Sequence, residues 1–230
     1  MFNKIFHRLC SIFGLKVSRI RDESIPDPIR PWDTSPDFGL LYGKIQAYTL
    51  VDQRRCFMLY QFVHYAISLD GEIAEIGVYN GGTAKLISNI LKRTQKKLYI
   101  FDTFSGMPKT DEQKDLHHEG DFKDTSFAAV SEYLKDTHNV VVTQGFFPES
   151  GNIISNTLFS LVHIDVDIYR SVLDVASFFY TRMTRGGIMI FDDYGFISCP
   201  GAKQAVDEFF ASRLETPIYL PTGQCLVIKL

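Results

Sequence analysis

Short apolar runs alternate with helical segments along most of this chain, and this alternation limits the folds it can form. The predicted strands are residues 72–76, 97–101, 139–143, 158–165 and 187–191. The predicted helices between and after them are residues 82–91, 126–137, 171–183 and 200–212. A repeated βα order predicts an α/β fold with a doubly wound, mostly parallel sheet. A last strand pair, 217–220 and 225–229, predicts that one C-terminal strand runs antiparallel.

The N-terminal part of the chain has a different pattern. Apolar residues recur at helical spacing over residues 1–21, basic residues occupy the other face, and no acid precedes Asp22. This predicts a basic amphipathic helix that docks on its own domain or on a second subunit of a homo-oligomer, or else makes a peripheral membrane contact. Four prolines in residues 22–40 predict an extended arm or loop. Residues 46–68 read as a helix, and we divide the chain into an N-terminal helical arm, 1–45, and one α/β domain, 46–230.

Composition excludes several classes of protein. A chain of 230 residues fits one domain of moderate size. The net charge of −3 gives no reason to expect nucleic acid as a partner. Cys10, Cys56, Cys199 and Cys225 lack metal-finger spacing, which predicts free thiols in a reducing, cytoplasmic setting. We expect neither a secretory signal nor a spanning helix, because no run of about 20 uncharged apolar residues occurs.

Two pairs of aspartates stand at the ends of two predicted strands. Asp165 and Asp167 end one apolar run, and Asp192 and Asp193 end the next. The carboxyl ends of parallel strands form the ligand crevice of an open α/β sheet. Clustered carboxylates repel each other and must stay hydrated or find a cation. If the two strands are neighbours, a divalent ion that prefers oxygen ligands, such as Mg²⁺, is the simplest partner. For any single aspartate, a helix cap or an Asx turn is the competing interpretation.

A glycine-rich turn follows the first predicted strand. Its spacing, Glu75-x-Gly77-x-x-x-Gly-Gly, differs from the Gly-x-Gly-x-x-Gly of dinucleotide-binding turns. Gly77 allows a tight turn and a close approach of ligand to backbone. An acid before the turn would repel a pyrophosphate but suits a cationic ligand such as S-adenosylmethionine, which carries a sulfonium and an amino group. Asp102 ends the second strand about 20 residues later, where a carboxylate can accept hydrogen bonds from ribose hydroxyls. A plain βα turn and a helix cap are the competing interpretations.

Several longer motifs occur together and resemble a known family. They are Glu75-Ile-Gly-Val-Tyr-Asn-Gly-Gly, Phe101-Asp-Thr-Phe-Ser-Gly-Met-Pro108, His163-Ile-Asp-Val-Asp-Ile-Tyr169 and Gly186-Gly-Ile-Met-Ile-Phe-Asp-Asp-Tyr194. In this order they resemble the macrocin-type (TylF-like) sugar O-methyltransferases. Pro200-Gly-Ala-Lys-Gln-Ala-Val206 and Tyr48-Thr-Leu also fit, and the resemblance covers roughly residues 40–230. The chain departs from the family at Tyr79-Asn80, where Trp-Arg is common, and at Ile168, where some relatives have His.

The resemblance implies a Rossmann-like class I methyltransferase that uses S-adenosylmethionine and Mg²⁺ on a sugar hydroxyl. By motif position, Asp165, Asp192 and Asp193 would ligate the metal, and Asp167 would be the general base. The residues that would bind the methyl donor are Thr49, Glu75, Ile76, Gly77, Val78, Tyr79, Asp102, Thr103, Phe104, Ser105, Gly106, Ser126, Gly145 and Asp165. Thr49 and its neighbour Tyr48 would belong to a mobile lid, and Ser126 would lie near the adenine.

Other functions remain open at this stage. A catechol-type O-methyltransferase uses the same metal chemistry, and Asp165-Val-Asp167 matches the short Asp-x-Asp pattern of glycosyltransferases. A non-catalytic module with the same fold is a third alternative. For the leading hypothesis we expect a small molecule or glycan with a vicinal diol as the acceptor, because two neighbouring hydroxyls can chelate Mg²⁺. We expect His163 to be a core residue, and His117 and His118 to lie in a solvated loop, 109–124, near the crevice.

Overall fold

The computed structural model describes residues 30–230. The basic helix predicted over residues 1–21, the first part of the proline-rich segment and Cys10 lie outside the described residues. A compact unit runs from Trp32 to Leu230. Within this unit no helix is long and apolar enough to cross a bilayer. The division of the chain at residue 45 stays a prediction.

The centre of the described part is a seven-stranded sheet in the order β3-β2-β1-β4-β5-β7-β6. The strands are β1 (Glu72–Ile76), β2 (Leu98–Asp102), β3 (Val140–Gln144), β4 (Phe159–Ile164), β5 (Met183–Phe191), β6 (Ile218–Tyr219) and β7 (Cys225–Ile228). β1 to β5 pair in parallel, whereas β7 pairs antiparallel with both β5 and β6. This confirms the predicted doubly wound sheet with an antiparallel strand near the C terminus. β5 begins earlier than predicted because Met183 pairs with Phe159 across a shift in register.

Helices cover both faces of the sheet. They are α1 (Pro31–Thr34), α2 (Pro36–Ile45), α3 (Gln53–Ala66), α4 (Gly82–Leu91), α5 (Phe127–Leu134), α6 (Tyr169–Tyr180) and α7 (Pro200–Phe210), with a 3-10 helix at Glu149–Ile154. Apolar residues of α6 and α7 form a core with one face, and those of α3, α4 and α5 form a core with the other. β4 is buried along its whole length, and for this reason its sequence is mostly apolar rather than alternating.

The predictions for the segment before β1 were wrong in two places. The expected loop over residues 22–40 is helical from Pro31 onward, because a proline at the first helical position loses no hydrogen bond there. The helix expected from residue 46 begins only at Gln53. Its N-cap is Asp52, whose side chain accepts hydrogen bonds from the amides of Arg54 and Arg55.

The pairing of β4 with β1 and β5 brings the predicted site residues together. Ile164 lies opposite Ile76 on one side and Phe191 on the other, so the residues that follow these three strands share one edge of the sheet. Gly77 comes so close to β4 that a Cβ atom at this position would lie 1.8 Å from the carbonyl oxygen of Asp165. Its φ of +85° also requires glycine. The turn after β1 therefore packs directly against Asp165, the residue that follows β4.

Candidate active site

A cavity of about 300 Å³ opens at the carboxyl ends of the parallel strands. Its walls combine the turn after β1, the end of β2, the loop 109–124 and the segments that follow β4 and β5. This is the edge at which the sequence predicted a ligand crevice. Most of the predicted site residues line the cavity, namely Thr49, Ile76, Gly77, Val78, Tyr79, Asp102, Thr103, Gly106, Gly145, Asp165, Asp167 and Asp193.

Asp102 holds the glycine turn in place. Its Oδ2 accepts hydrogen bonds from the amides of Val78 at 2.7 Å and Tyr79 at 3.0 Å, and its Oδ1 accepts one from Phe104 at 2.7 Å. A carboxylate offers about four lone-pair sites, so these three bonds leave roughly one for a ligand hydroxyl. Asp102, which was predicted to bind ribose, therefore also connects the turn after β1 to the end of β2. Its role toward a nucleoside stays a prediction.

Four residues predicted to bind the donor lie away from the cavity wall: Glu75, Phe104, Ser105 and Ser126. Glu75 is fully buried behind the turn. Ser126 is exposed and caps α5, where its hydroxyl accepts a hydrogen bond from the amide of Ala129 at 3.2 Å. The cavity is lined instead by its neighbour Thr125, whose hydroxyl donates to the carbonyl of Tyr79.

The segment before α3 lies over the start of α4. The carbonyl of Tyr48 accepts a hydrogen bond from the amide of Gly82 at 2.9 Å, and its ring stacks on Tyr133 with centroids 4.0 Å apart. Thr49 lines the cavity, and its hydroxyl accepts a hydrogen bond from the amide of Val51 at 3.0 Å. The segment occupies the position expected of a lid, and its mobility stays a prediction.

Asp192 differs from the other three acids because it is fully buried and does not line the cavity. Its Oδ1 accepts a hydrogen bond from the side-chain amide of Gln224 at 2.7 Å and lies 3.2 Å from Nε2 of His163. Its Oδ2 pairs with the guanidinium of Arg55. Although burial raises the pKa of Asp192, these partners outweigh it and hold that pKa below its usual range. Asp192 is therefore charged and already neutralised by protein groups.

Among the residues that the structure describes, neither Asp165 nor Asp193 forms an ion pair with a basic side chain, and Asp193 accepts a hydrogen bond from the amide of Asp167. Burial and then the charge of Asp192 raise the pKa of Asp165 well above its usual value. Burial and then the charges of Asp167 and Asp165 do the same for Asp193. A group whose charged form is this unfavourable gains most from a bound cation. Carboxylate oxygens are also the ligands that Mg²⁺ prefers, so the residues present fit this ion.

Arg55 is a site residue that the sequence analysis missed. It projects from the first turn of α3, lines the cavity, and lies over the ring of Phe196 with its Cζ 4.7 Å from the centroid. Burial lowers the pKa of Arg55, but the charges of Asp192, Asp165 and Asp193 more than offset this. One signal was available, since Arg55 is a charged residue four positions before Leu59 on the apolar stripe of its helix.

His163 is a core residue, as predicted. Its ring is fully buried between Oε1 of Glu75, 2.9 Å from Nδ1, and Asp192 on the other side. Burial lowers the pKa of His163, but hydrogen bonds to Asp192 and Glu75 outweigh it and raise that pKa well above the usual value. The other oxygen of Glu75, Oε2, is buried and has no hydrogen-bond partner within the described part of the chain.

Asp167 occupies a sharp turn on the cavity wall. Its φ is +57°, a left-handed value that is unusual for a residue with a side chain, and its amide donates to Oδ2 of Asp193 at 3.0 Å. Burial raises the pKa of Asp167, against the opposing effect of His117. His117 was expected in a solvated loop, but it is half-buried and lines the cavity, with Nε2 3.7 Å from Oδ1 of Asp167. This expectation was wrong because Asp115 anchors the loop to α6 by accepting the amide hydrogen of Tyr169 at 2.8 Å.

Comparison with known proteins gives one family match. The family described as Macrocin-O-methyltransferase (TylF) matches residues 42–221. The chain is 28% identical over 181 residues to the mycinamicin III 3''-O-methyltransferase of Micromonospora griseorubida, covering 71% of this chain and 70% of that protein. It is 25% identical over 172 residues to the 8-demethyl-8-(2,3-dimethoxy-alpha-L-rhamnosyl)-tetracenomycin-C 4'-O-methyltransferase of Streptomyces olivaceus, covering 68% and 66%. Among solved structures, the O-methyltransferase NovP superposes with a TM-score of 0.69 at 23% identity, covering 79% of this chain and 82% of that one. This last likeness shows the Rossmann-like class I methyltransferase fold.

Proposed function

Because the chain belongs to the macrocin O-methyltransferase (TylF) family, we propose that it methylates a hydroxyl of a sugar or glycan with help from Mg²⁺ and a carboxylate base. Family membership makes the chain an S-adenosylmethionine-dependent sugar O-methyltransferase; the ion, the base and the acceptor are the proposal. The observation that carries it is the convergence of Asp165, Asp167 and Asp193 on a cavity that also contains the Gly77 turn.

The donor half of the cavity is assigned to the turn after β1 and the end of β2. S-adenosylmethionine supplies a methyl group on a positively charged sulfur. The exposed backbone of Gly77 allows a ligand to approach β1 closely, while Asp102 has an acceptor site left for a ribose hydroxyl. Glu75 is buried behind the turn, and a carboxyl group at this position suits a cationic donor better than an anionic one.

The metal is assigned to Asp165, Asp193 and Asp192. Bound there, Mg²⁺ would lower the pKa of two neighbouring acceptor hydroxyls and hold them in place. Asp165 and Asp193 face the cavity with no cationic hydrogen-bond partner of their own, whereas Asp192 shares its charge with Arg55. Arg55 therefore limits how fully Asp192 takes part, and it contributes positive charge beside the acceptor site.

Asp167 is assigned as the general base. It lines the cavity beside Asp193 but is held by its own turn rather than by Arg55. A raised pKa makes a carboxylate a stronger base, because its pKa then lies closer to the working pH. General-base assistance of this kind contributes about 10²–10⁴-fold to the rate.

The test of this proposal separates binding from chemistry. Binding of S-adenosylhomocysteine is measured by calorimetry, and methyl transfer to a panel of sugars and catechols is measured with labelled donor, each with EDTA or with Mg²⁺. We expect binding in both conditions, transfer to a sugar only with Mg²⁺, and a loss of about 10²–10⁴-fold in Asp167→Asn. Asp136→Asn, which changes an exposed aspartate that follows α5 and does not line the cavity, is the control. Transfer that persists in EDTA would exclude the metal, and methylation of catechols alone would favour the catechol-type alternative.

The proposed partner is a small molecule or glycan with a vicinal diol. We also keep the cytoplasmic location, the homo-oligomer and the membrane contact of residues 1–21 as proposals. Sedimentation with anionic vesicles, comparing the full chain with a chain lacking residues 1–21, tests the membrane contact. Equal sedimentation of the two chains would exclude it.

A further inference from the structure

Three potential metal ligands of different chemistry meet on the cavity wall. They are Nε2 of His117, Oδ1 of Asp167 and Sγ of Cys199. Sγ lies 3.6 Å from the His117 nitrogen and 3.5 Å from the Asp167 oxygen, and the nitrogen and oxygen are 3.7 Å apart. The three residues come from the loop 109–124, the turn after β4 and the residue before α7, so only the tertiary structure brings them together.

These separations match one coordination geometry. Zn²⁺ binds sulfur at about 2.3 Å and nitrogen or oxygen at about 2.0–2.1 Å in a tetrahedral arrangement. Ligand atoms at those lengths stand roughly 3.3–3.6 Å apart. The two separations that involve sulfur, 3.5 and 3.6 Å, lie within this range, and the nitrogen–oxygen separation of 3.7 Å is a few tenths of an ångström longer than the roughly 3.3 Å expected for that pair. All three residues line the cavity, so the fourth tetrahedral position would face its interior.

The histidine is also oriented as a ligand would be. Nδ1 of His117 lies 3.2 Å from Oδ2 of Asp121, which also accepts a hydrogen bond from the amide of His118 at 3.0 Å. Metal-binding histidines commonly donate their second ring N–H to a carboxylate in this manner, which fixes the tautomer. A proton on Nδ1 leaves the lone pair of Nε2 directed at the other two groups.

We propose that His117, Asp167 and Cys199 form a binding site for a thiophilic divalent ion, Zn²⁺, separate from the carboxylate site for Mg²⁺. Imidazole and thiolate select Zn²⁺ over Mg²⁺, which prefers oxygen. Binding forms a sulfur–zinc bond and releases the thiol proton of Cys199 to solvent, so affinity rises with pH. One consequence rests on the proposed function: a zinc ion that binds Asp167 removes the base, so Zn²⁺ inhibits methyl transfer.

The experiment uses Co²⁺ as a spectroscopic probe of the full-length, chelator-treated protein. We expect one equivalent of Co²⁺ to produce a thiolate-to-cobalt charge-transfer band in the near ultraviolet, which Zn²⁺ abolishes by displacement. Cobalt bound at the carboxylates Asp165 and Asp193 gives no such band, so the two sites are distinguished. Cys199→Ser should abolish the band, whereas Cys225→Ser, a buried cysteine of β7, should retain it.

The histidine is tested in the same way. His117→Gln should weaken Zn²⁺ binding, measured by competition with a chromophoric chelator, and His118→Gln should leave it unchanged. Asp121→Asn, which removes the charge behind the ring, should weaken it by about 10–100-fold. Circular dichroism verifies that each variant is folded; if Cys199→Ser does not fold, His117→Gln decides.

The proposal is overturned if the wild-type protein shows no charge-transfer band, or if the band survives Cys199→Ser. The three groups would then form only a hydrogen-bonded cluster in which the thiol donates to Asp167. This spectroscopic result is independent of methyl transfer. A protein that fails to methylate sugars can still bind Zn²⁺ here, and a protein that methylates sugars can fail to bind Zn²⁺.

Discussion

Removal of the Arg55 guanidinium tests the electrostatic account of the site most directly. In Arg55→Met the side chain keeps its approximate length and its contact with Phe196, but Asp192 loses the guanidinium and keeps His163 as its positively charged neighbour. The Arg55 side chain is 12% exposed and that of Asp192 is 0% exposed, so solvent screens this pair weakly. The carboxylate retains only His163 and Gln224 as partners.

The expected loss of stability follows from that burial. Removing one partner of a buried ion pair costs about 3–5 kcal/mol, because the other charge is left uncompensated. Since Asp192 keeps two hydrogen-bond partners, we expect the lower end, about 3 kcal/mol. For a unit of this size each 1 kcal/mol corresponds to about 2–4 °C, so the midpoint of thermal unfolding should fall by roughly 6–12 °C.

Thermal and urea unfolding in EDTA measure this loss. Arg54→Met is the matched control, because the Arg54 side chain is 55% exposed and pairs with the cap residue Asp52 rather than with a buried acid; it should change stability by less than about 0.5 kcal/mol. The double variant Arg55→Met/Asp192→Asn should recover part of the loss, since no unpaired charge remains. Mg²⁺ should raise the unfolding midpoint more in Arg55→Met than in the wild type. Equal stability of Arg55→Met and Arg54→Met would refute the reasoning.

Three further predictions follow from the turn, the acids and the donor site. Gly77→Ala should unfold at a lower urea concentration than Gly120→Ala. Both glycines have a positive φ, at which a side chain costs about 1–3 kcal/mol, but of the two only Gly77 would place its new Cβ against backbone atoms. Equal losses of stability in the two variants would contradict the close contact at Gly77. The pKa values of Asp165 and Asp193 are raised in the folded state, so the stability they contribute is present below their unfolded pKa of about 3.9 and lost as pH rises through the raised values. In EDTA the unfolding midpoint should therefore fall as the pH increases from about 5 to about 8, and Mg²⁺ should reduce that fall; a midpoint that rises over this range would reverse the sign. Asp102→Asn should weaken S-adenosylhomocysteine binding by about 10-fold in calorimetry, because a charged acceptor that positions the turn becomes neutral; unchanged affinity would show that Asp102 acts on the fold alone.

Much of the fold could be predicted because its signals are local. The strands β1 to β5 are short, mostly apolar runs bounded by turn residues, and all except the edge strand β3 are largely buried, so their composition depends little on their neighbours. The start of α5 was predicted at residue 126, next to its observed start at Phe127, for the same reason, since capping depends on residues within one turn of helix. Helices α1 and α2 were predicted as a loop because proline stops a helix when it lies inside one but not when it begins one.

Only part of the candidate site could be predicted from the sequence. That acids stand at the ends of β4 and β5 is a property of the sequence, and it was enough to predict where a cation would bind. The sequence did not predict which of these acids face the cavity, because Asp192 and Asp193 are adjacent and differ only in the residues that pack around them. Free thiols were predicted for Cys56, Cys199 and Cys225, and the structure confirms them, but not that Cys199 would meet His117.

The amino-acid sequence alone was enough to predict the succession of strands and helices along the chain, the glycine turn and the acidic ends of two strands. These features depend on backbone preference and apolar periodicity, which act over a few residues. The tertiary structure decided the charge balance. It placed Arg55 against Asp192, 137 positions apart in the chain, and gave Asp165 and Asp193 no ion pair within residues 30–230. Such pairings depend on packing between distant segments and on burial, neither of which is encoded at any one position.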